Sequence, residues 1–302
     1  MGHPRAVLIL NPAAGRAGLL SAQLPAMRTL LEGAGYRVEV CATTGEEVSA
    51  RRLGAAAAVT AELVLACGGD GTVHGVVQGL AHTQAALGVV PLGTANALAR
   101  NLGLPLDPLA AVARLMTYAP RRIPLGQVET AGETRYFITM AGCGPDGTLV
   151  HSLSSAEKAR FGRGAYYAHA AGLFFTRRWP AFAVEYRVGA EWVRGRAVAV
   201  MASRVGNLGG PFSGLTRAAQ LTSVRLQVQI LRAPAVISFP AWFGLSRVGL
   251  RNPWLETVDV DELVARPLGT KTIYAQADAE GLGAIPLRLR VVEDALTLLM
   301  PG

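Results

Sequence analysis

Apolar residues in the first third of the chain come as short unbroken runs. Ala6-Val7-Leu8-Ile9-Leu10 stops at Asn11-Pro12, Leu63-Val64-Leu65-Ala66-Cys67 stops at Gly68-Gly69, and Leu87-Gly88-Val89-Val90 stops at Pro91. Runs of this length that end in a turn signal read as buried parallel strands. Between them, Leu19 to Glu32 and Glu46 to Ala58 carry helix-compatible spacing, Tyr36 to Val40 alternates as a further strand, and His74 to Ala81 reads as a helix after the Gly68 loop. Alternating strands and helices predict a parallel sheet covered on both faces, so the first 120 or so residues form an α/β unit. Beyond Arg121-Arg122 the pattern turns strand-rich. Gln127 to Glu129, Arg135 to Met140, Val184 to Val188, Ala197 to Met201, Val224 to Leu231 and Thr272 to Ala275 are separated by turns, with one helical stretch, Ser155 to Phe175, among them. This half predicts a β-sandwich with an inserted helix.

The chain has 302 residues, more than one ordinary core holds, and 51% of them are hydrophobic against 17% charged. Two globular units are therefore expected, without long disordered tracts. A formal charge of +8 draws anionic partners without choosing among nucleic acid, lipid headgroups and phosphorylated small molecules. Cys41, Cys67 and Cys143 are odd in number and widely spaced, which fits a reducing compartment and no Cys-based metal site. The first ten residues lack a signal-peptide plan. The longest uncharged stretch, Gly71 to Ala99, is broken by Gly, Gln, Pro and Asn and fails as a membrane span. The expected location is cytoplasmic, with any membrane contact peripheral.

The chemistry concentrates in loops after the strands of the first unit, where ligands collect in open α/β sheets. In Gly68-Gly69-Asp70-Gly71-Thr72 the missing Cβ atoms let backbone N–H groups approach phosphate oxygens, and a following helix aims its N-terminus at the anion. Thr72 adds a hydroxyl. Asp70 among phosphates needs a metal ion, a hydroxyl proton or a ribose to face, which makes it a candidate for chemistry. A tight turn would explain this loop alone. Asn11-Pro12-Ala13-Ala14-Gly15 and Gly93-Thr94-Ala95-Asn96 sit at two further strand ends, and the three together outline one nucleotide pocket. Asp278-Ala279-Glu280 follows a strand, so its carboxylates, two residues apart, are expected on one side as a base and its orienting partner, although a charged turn between two strands would explain them as well.

These segments resemble the diacylglycerol kinase-like catalytic domain shared by bacterial lipid kinases, ceramide kinases and sphingosine kinases. The resemblance rests on Asn11 to Gly15, Gly68 to Thr72, Pro91 to Arg100, Gly142 to Asp146 and Asp278 to Glu280, in that order along nearly the whole chain. It implies a Rossmann-like ATP domain, residues 1–122 with a returning last strand at 293–302, and a β-sandwich lipid domain at 123–292. This is the fold shared by NAD kinases and diacylglycerol kinases. It also implies an enzyme that transfers the γ-phosphate of ATP, as Mg-ATP, to the hydroxyl of a lipid such as diacylglycerol or a sphingoid base.

By the same resemblance Asn11, Gly15, Thr43, Asp70, Thr72 and Thr94 contact ATP. For Thr43 a helix N-cap is an equal reading. Asp278 is the implied proton acceptor, and Asp146 the implied headgroup contact, although a plain turn explains Asp146 as well. Departures from the family pattern matter. Ala279 replaces a usual glycine, and Ser223-Val224 stands where many bacterial members carry an Asp-Gly that helps hold a structural magnesium ion. That site is expected to be absent here, and Ala97 and Pro124 stand where those members often have aspartates joining a water-bridged magnesium network. The metal ligands are therefore left unknown. Asn96-Ala97-Leu98-Ala99 and Glu157 to Gly162 look like the sphingosine and ceramide kinase versions of these segments. Tyr166, Leu173 and Phe174 would line an acyl-chain cleft or simply form core, and Arg160 to Arg163 with Arg177-Arg178-Trp179 would meet anionic lipid or simply be solvated. The expected partners are a lipid substrate and a membrane surface, not nucleic acid, with a homodimer left open. The rival readings are an NAD kinase-like enzyme and a non-catalytic nucleotide- or lipid-binding member of the fold; with no GxGxxG after the first strand, an NAD-dependent oxidoreductase is weaker.

Overall fold

The computed structural model describes residues 3–44, 46–152, 179–208, 219–232 and 252–302. The expected helix Ser155 to Phe175, with its aromatic and basic residues, lies outside the described residues, as do Arg177 and Arg178.

The chain divides into two compact units. The first holds Met1–Leu125 and Val292–Gly302, together with a short piece that starts at Asn207. In chain order it contains β1 (Arg5–Leu10), α1 (Ala17–Gly33), β2 (Arg37–Ala42), α2 (Glu47–Ala58), β3 (Leu63–Gly68), α3 (Asp70–Leu80), β4 (Ala86–Pro91), α4 (Ala97–Asn101) and α5 (Pro108–Leu115). β5 (Ala119–Thr130) leaves it. β1 pairs in parallel with β2 and β3, and β3 with β4, so the strand order is β2-β1-β3-β4. Every residue of β3 and β4 is buried, which is why their sequences run apolar without alternation. α5 has a full set of start signals: Asp107 at the N-cap accepts from the N–H of Ala110 at 2.9 Å, and Pro108 follows it.

The second unit is all β apart from one short helix among its described residues. β6 (Thr134–Phe137), β7 (Met140–Cys143) and α6 (Pro145–Ser152) are followed by β8 (Phe182–Val188), β9 (Glu191–Ala197), β10 (Ala199–Ser203) and β11 (Leu226–Leu231). Then come β12 (Leu255–Val260), β13 (Glu262–Pro267), β14 (Tyr274–Ala277), β15 (Glu280–Ala284) and β16 (Leu287–Met300). One sheet has the antiparallel order β12-β11-β10-β7-β14-β15. Facing it are β9, β8, β13 and the first half of β16, again antiparallel. A single buried cluster takes Ala141, Val200, Val228 and Ala275 from the first sheet and Phe182, Val184, Leu263 and Leu289 from the second. That shared core is the sandwich expected from the strand-rich pattern.

The second half of β16 belongs to the first unit, where Thr297 and Leu298 pair in parallel with Ala86 and Leu87 of β4. Asn207 joins that unit through Asn101. Asn101 Nδ2 donates to the Asn207 carbonyl at 2.6 Å, and the Asn207 N–H donates to Asn101 Oδ1 at 3.0 Å. No helix among the described residues is long and apolar enough to cross a membrane.

Candidate active site

In the first unit the loops after β1, β3 and β4 are tied to one another. The Asn11 N–H donates to the Cys67 carbonyl at 3.0 Å, and the Leu92 N–H to the Gly68 carbonyl at 2.9 Å. Asn11 Oδ1 accepts from the N–H of Ala13 at 2.9 Å, closing an Asx turn. Its Nδ2 donates to Thr72 Oγ1 at 3.0 Å. Asn11 thus fixes both its own loop and the hydroxyl of Thr72, which is buried in the first turn of α3.

α3 begins at Asp70, four residues before the helix expected from His74, so Asp70, Gly71 and Thr72 belong to its first turn. Gly69 takes the N-cap position in extended backbone, and an acidic residue just after it suits the positive end of the helix dipole. The first turn of a helix leaves backbone N–H groups without intrahelical acceptors, here including those of Gly71 and Thr72. Gly69 and Gly93 meet face to face. A Cβ on Gly93 would lie 2.6 Å from the Gly69 Cα, and one on Gly69 would lie 3.3 Å from the Gly93 Cα. Only glycine at 93 lets the second and third loops close on each other.

Asp70 bridges the same two loops. Its Oδ2 accepts from the N–H of Asn96 at 2.9 Å and its Oδ1 from the N–H of Ala97 at 2.7 Å, at the start of α4. Asn96, in the left-handed region at φ +48°, accepts from the Gly93 N–H at 2.9 Å and returns its Nδ2 to the Gly93 carbonyl at 2.9 Å. Gly68, Gly69, Asp70, Gly71, Thr72, Gly93 and Asn96 therefore come together with Asn11, and Pro12 follows in the same Asx turn. Thr94 is exposed in the third loop and Gly15 exposed at the end of the first. Thr43 is buried at the end of β2, its N–H bonded to the Leu10 carbonyl at 2.8 Å. It does not stand at the N-cap position, because α2 starts at Glu47 with Glu46 before it.

In the second unit Asp278 and Ala279 form the two-residue turn between β14 and β15, where Ala277 pairs with Glu280. Both have positive φ, +49° and +68°. The strand-end geometry expected for Asp278 and Glu280 is therefore corrected: the first belongs to the turn and the second opens β15. Asp278 is buried. Its Oδ1 accepts from the Thr139 N–H at 2.8 Å, the Thr139 hydroxyl at 2.5 Å and the Met140 N–H at 3.0 Å, while Oδ2 accepts from the Ile138 N–H at 2.9 Å. Four donors on one carboxylate hold the corner between β6 and β7.

Gln276 has no counterpart among the residues expected from the sequence. Its Oε1 accepts from the Ala279 N–H at 3.0 Å and its Nε2 donates to Asp146 Oδ2 at 3.1 Å, so it links the turn to the first turn of α6. The signal for it was a polar residue between Ala275 and Ala277 in a buried strand. Asp146 Oδ1 is shut off from solvent without a hydrogen-bond partner. Burial pushes the Asp146 carboxyl up to about 6, against the bond from Gln276. Beside it, burial and then the Asp146 charge raise the Cys143 thiol. No group of three His, Cys, Asp or Glu side chains among the described residues is placed to hold a metal ion.

A parallel α/β sheet with interlocked glycine loops at its strand ends, followed by a β-sandwich, is the frame within which the chain's relatives are found. Residues 5–128 match the family model for the diacylglycerol kinase catalytic domain. The chain is 31% identical over 238 residues to a diacylglycerol kinase of Bacillus subtilis, covering 78% of this chain and 76% of that protein. It is 32% identical over 279 residues to a Pseudomonas putida protein named probable lipid kinase YegS-like, covering 90% and 88%. The crystal structure of a diacylglycerol kinase from Bacillus anthracis superposes with a TM-score of 0.76 at 20% identity, over 99% of this chain and 98% of that one. The chain belongs to the diacylglycerol kinase-like lipid kinase family and is a lipid kinase.

Proposed function

We propose that this enzyme transfers the γ-phosphoryl group of Mg-ATP to the hydroxyl of a lipid, with diacylglycerol the first substrate to test and a sphingoid base the second. The observation that carries the nucleotide reading is the bonding of three strand-end loops through Asn11, Thr72, Asp70 and Asn96 around the N-terminus of α3. Backbone N–H groups at Gly71 and Thr72 and the hydroxyl of Thr72 receive the phosphates. Gly68, Gly69 and Gly93 keep side chains out of their way. Pro12, Gly15, Thr43 and Thr94 complete the nucleotide contacts by resemblance. Magnesium bound with ATP neutralises phosphate oxygens.

In the transfer, the lipid hydroxyl oxygen bonds to Pγ, its proton passes to a carboxylate, and the bond from Pγ to the β–γ bridging oxygen breaks to release ADP. Asp70 is the proposed acceptor, since it sits in the phosphate loop itself. Asp278, buried under four donors, is proposed as a positioning residue that holds the corner at Thr139 with Glu280 beside it. Asp146, linked through Gln276 to the same turn, is proposed as a contact to the lipid headgroup. A cytoplasmic enzyme resting on a membrane surface is the setting these roles require.

The test is incubation with labelled ATP and magnesium plus diacylglycerol, sphingosine, ceramide or NAD in turn. Label is expected in a lipid and not in NAD; labelled NAD, or no labelled product at all, would sink the reading. Asp70→Asn is expected to lower kcat by about a hundredfold to ten-thousandfold. Asp278→Asn is expected to lower kcat by less and to lower thermal stability. The reverse order of kcat losses would return the proton to Asp278.

A further inference from the structure

Many bacterial members of the family have an Asp-Gly that helps hold a structural magnesium ion where this chain has Ser223-Val224. The surroundings of Ser223 do not fit a divalent cation. Its hydroxyl donates to the Arg225 carbonyl at 2.9 Å and accepts from the Arg225 N–H at 3.1 Å, so it is committed to its own turn. The carbonyl oxygens of the turn are engaged by a cation of the chain itself. Arg204 Nη1 donates to the Ser223 carbonyl at 2.7 Å, and Nη2 donates to the Leu221 carbonyl at 2.6 Å. Arg204 is 1% exposed at the end of β10, where its N–H is held by the Thr139 carbonyl at 2.8 Å. Converging carbonyl oxygens are ligands that hard cations take. A divalent ion brought to them would meet the like charge of a guanidinium already bonded to both oxygens.

We propose that the Arg204 guanidinium is the resident cation of the 220–225 turn, taking the place of the structural divalent ion, so that this enzyme's second unit holds its fold without a structural metal. A planar fork with donors at fixed angles reaches two carbonyls of one turn at once, which a lysine ammonium on a flexible stem does less well. Burial lowers the Arg204 guanidinium to about 10, so it stays protonated at neutral pH. The arrangement also explains why Ser223 is tolerated. With a tethered cation bonded to the carbonyls, the turn needs no carboxylate ligand. This role concerns folding and is separate from magnesium carried in with ATP.

The test uses the full-length protein without nucleotide or lipid, so its outcome does not depend on the proposed reaction. Thermal unfolding and amide hydrogen exchange are measured after chelation with EDTA and again with millimolar magnesium. Neither the Tm nor exchange across residues 220–226 is expected to change. Arg204→Ala is expected to speed exchange there by about tenfold or more, because the turn opens locally once its cation is gone, and added magnesium is expected not to reverse it. A saturable, magnesium-dependent slowing of exchange across residues 220–226 of the unaltered protein would overturn the proposal, as would an Arg204→Ala protein with unchanged exchange there. If Arg204→Ala does not fold, the magnesium titration of the unaltered protein decides by itself.

Discussion

Ala279 holds a backbone conformation that suits glycine. A two-residue hairpin with positive φ at both positions favours Asp-Gly, and an alanine there bears about 1 to 2 kcal/mol of strain. Ala279→Gly is expected to raise stability by about 1 kcal/mol, the relief of strain being partly offset by a more flexible unfolded chain. Urea denaturation measures this; a loss of stability would mean the turn is not strained. Asp146 gives a second expectation. Its folded value of about 6 lies above the ordinary 3.8, so between those pH values the folded protein keeps a proton that the unfolded chain has released. Stability therefore falls as pH rises through that window, by on the order of 2 to 3 kcal/mol. Asp146→Asn is expected to flatten this slope when unfolding is followed at pH 4, 5, 6 and 7, and an unchanged slope would contradict the burial of the carboxyl. What the sequence could not reveal at this scale was long-range partnership. Asp278 reads from the sequence as a proton-accepting carboxylate at a strand end, and its donors, Ile138 to Met140, lie about 140 positions away.

At the scale of elements, β1, β3 and β4 were legible because strands buried on both faces have no polar positions to blur them. The start of α3 was harder to find. Gly69 and Gly71 suggest a loop, and the helix-start signal of an acid in the first turn is a single residue, Asp70. The three loops were legible as a group, although their closest contact, between Gly69 and Gly93, depends on two backbones approaching in space. It leads to a specific expectation. Gly93→Ala places a methyl 2.6 Å from the Gly69 Cα and is expected to push the two loops apart. Binding of ATP, followed by calorimetry, should weaken by about tenfold or more, whereas Gly132→Ala, whose added Cβ meets nothing within 4 Å, should leave it unchanged. Equal affinities would show that the contact does not shape the pocket.

Across the whole molecule, the change from alternating strands and helices to a strand-rich pattern marked the two units. The return of β16 to the first unit was legible only through the family resemblance. The inclusion of Asn207 was not legible at all, because its pair with Asn101 spans 106 positions and neither residue carries a local signal. The first unit is thus built from distant pieces. Residues 1–125 alone are expected to give a partly folded, protease-sensitive product, since β4 would keep β3 but lose its second parallel partner, β16. Joining residues 292–302 to that fragment through a flexible linker is expected to restore cooperative unfolding by circular dichroism. Equal cooperativity without them would show that β4 does not need the strand.

That strand sets a schedule for biosynthesis. A ribosome makes the four parallel strands of the first unit early, yet their sheet waits for β16, the last strand in chain order, until the whole sandwich sequence has been made. During that interval β4 presents an open, apolar edge in the nascent chain. Translation that pauses within the sandwich prolongs this exposure, so yield in a cell is expected to vary with elongation speed and with chaperones that shield the waiting edge.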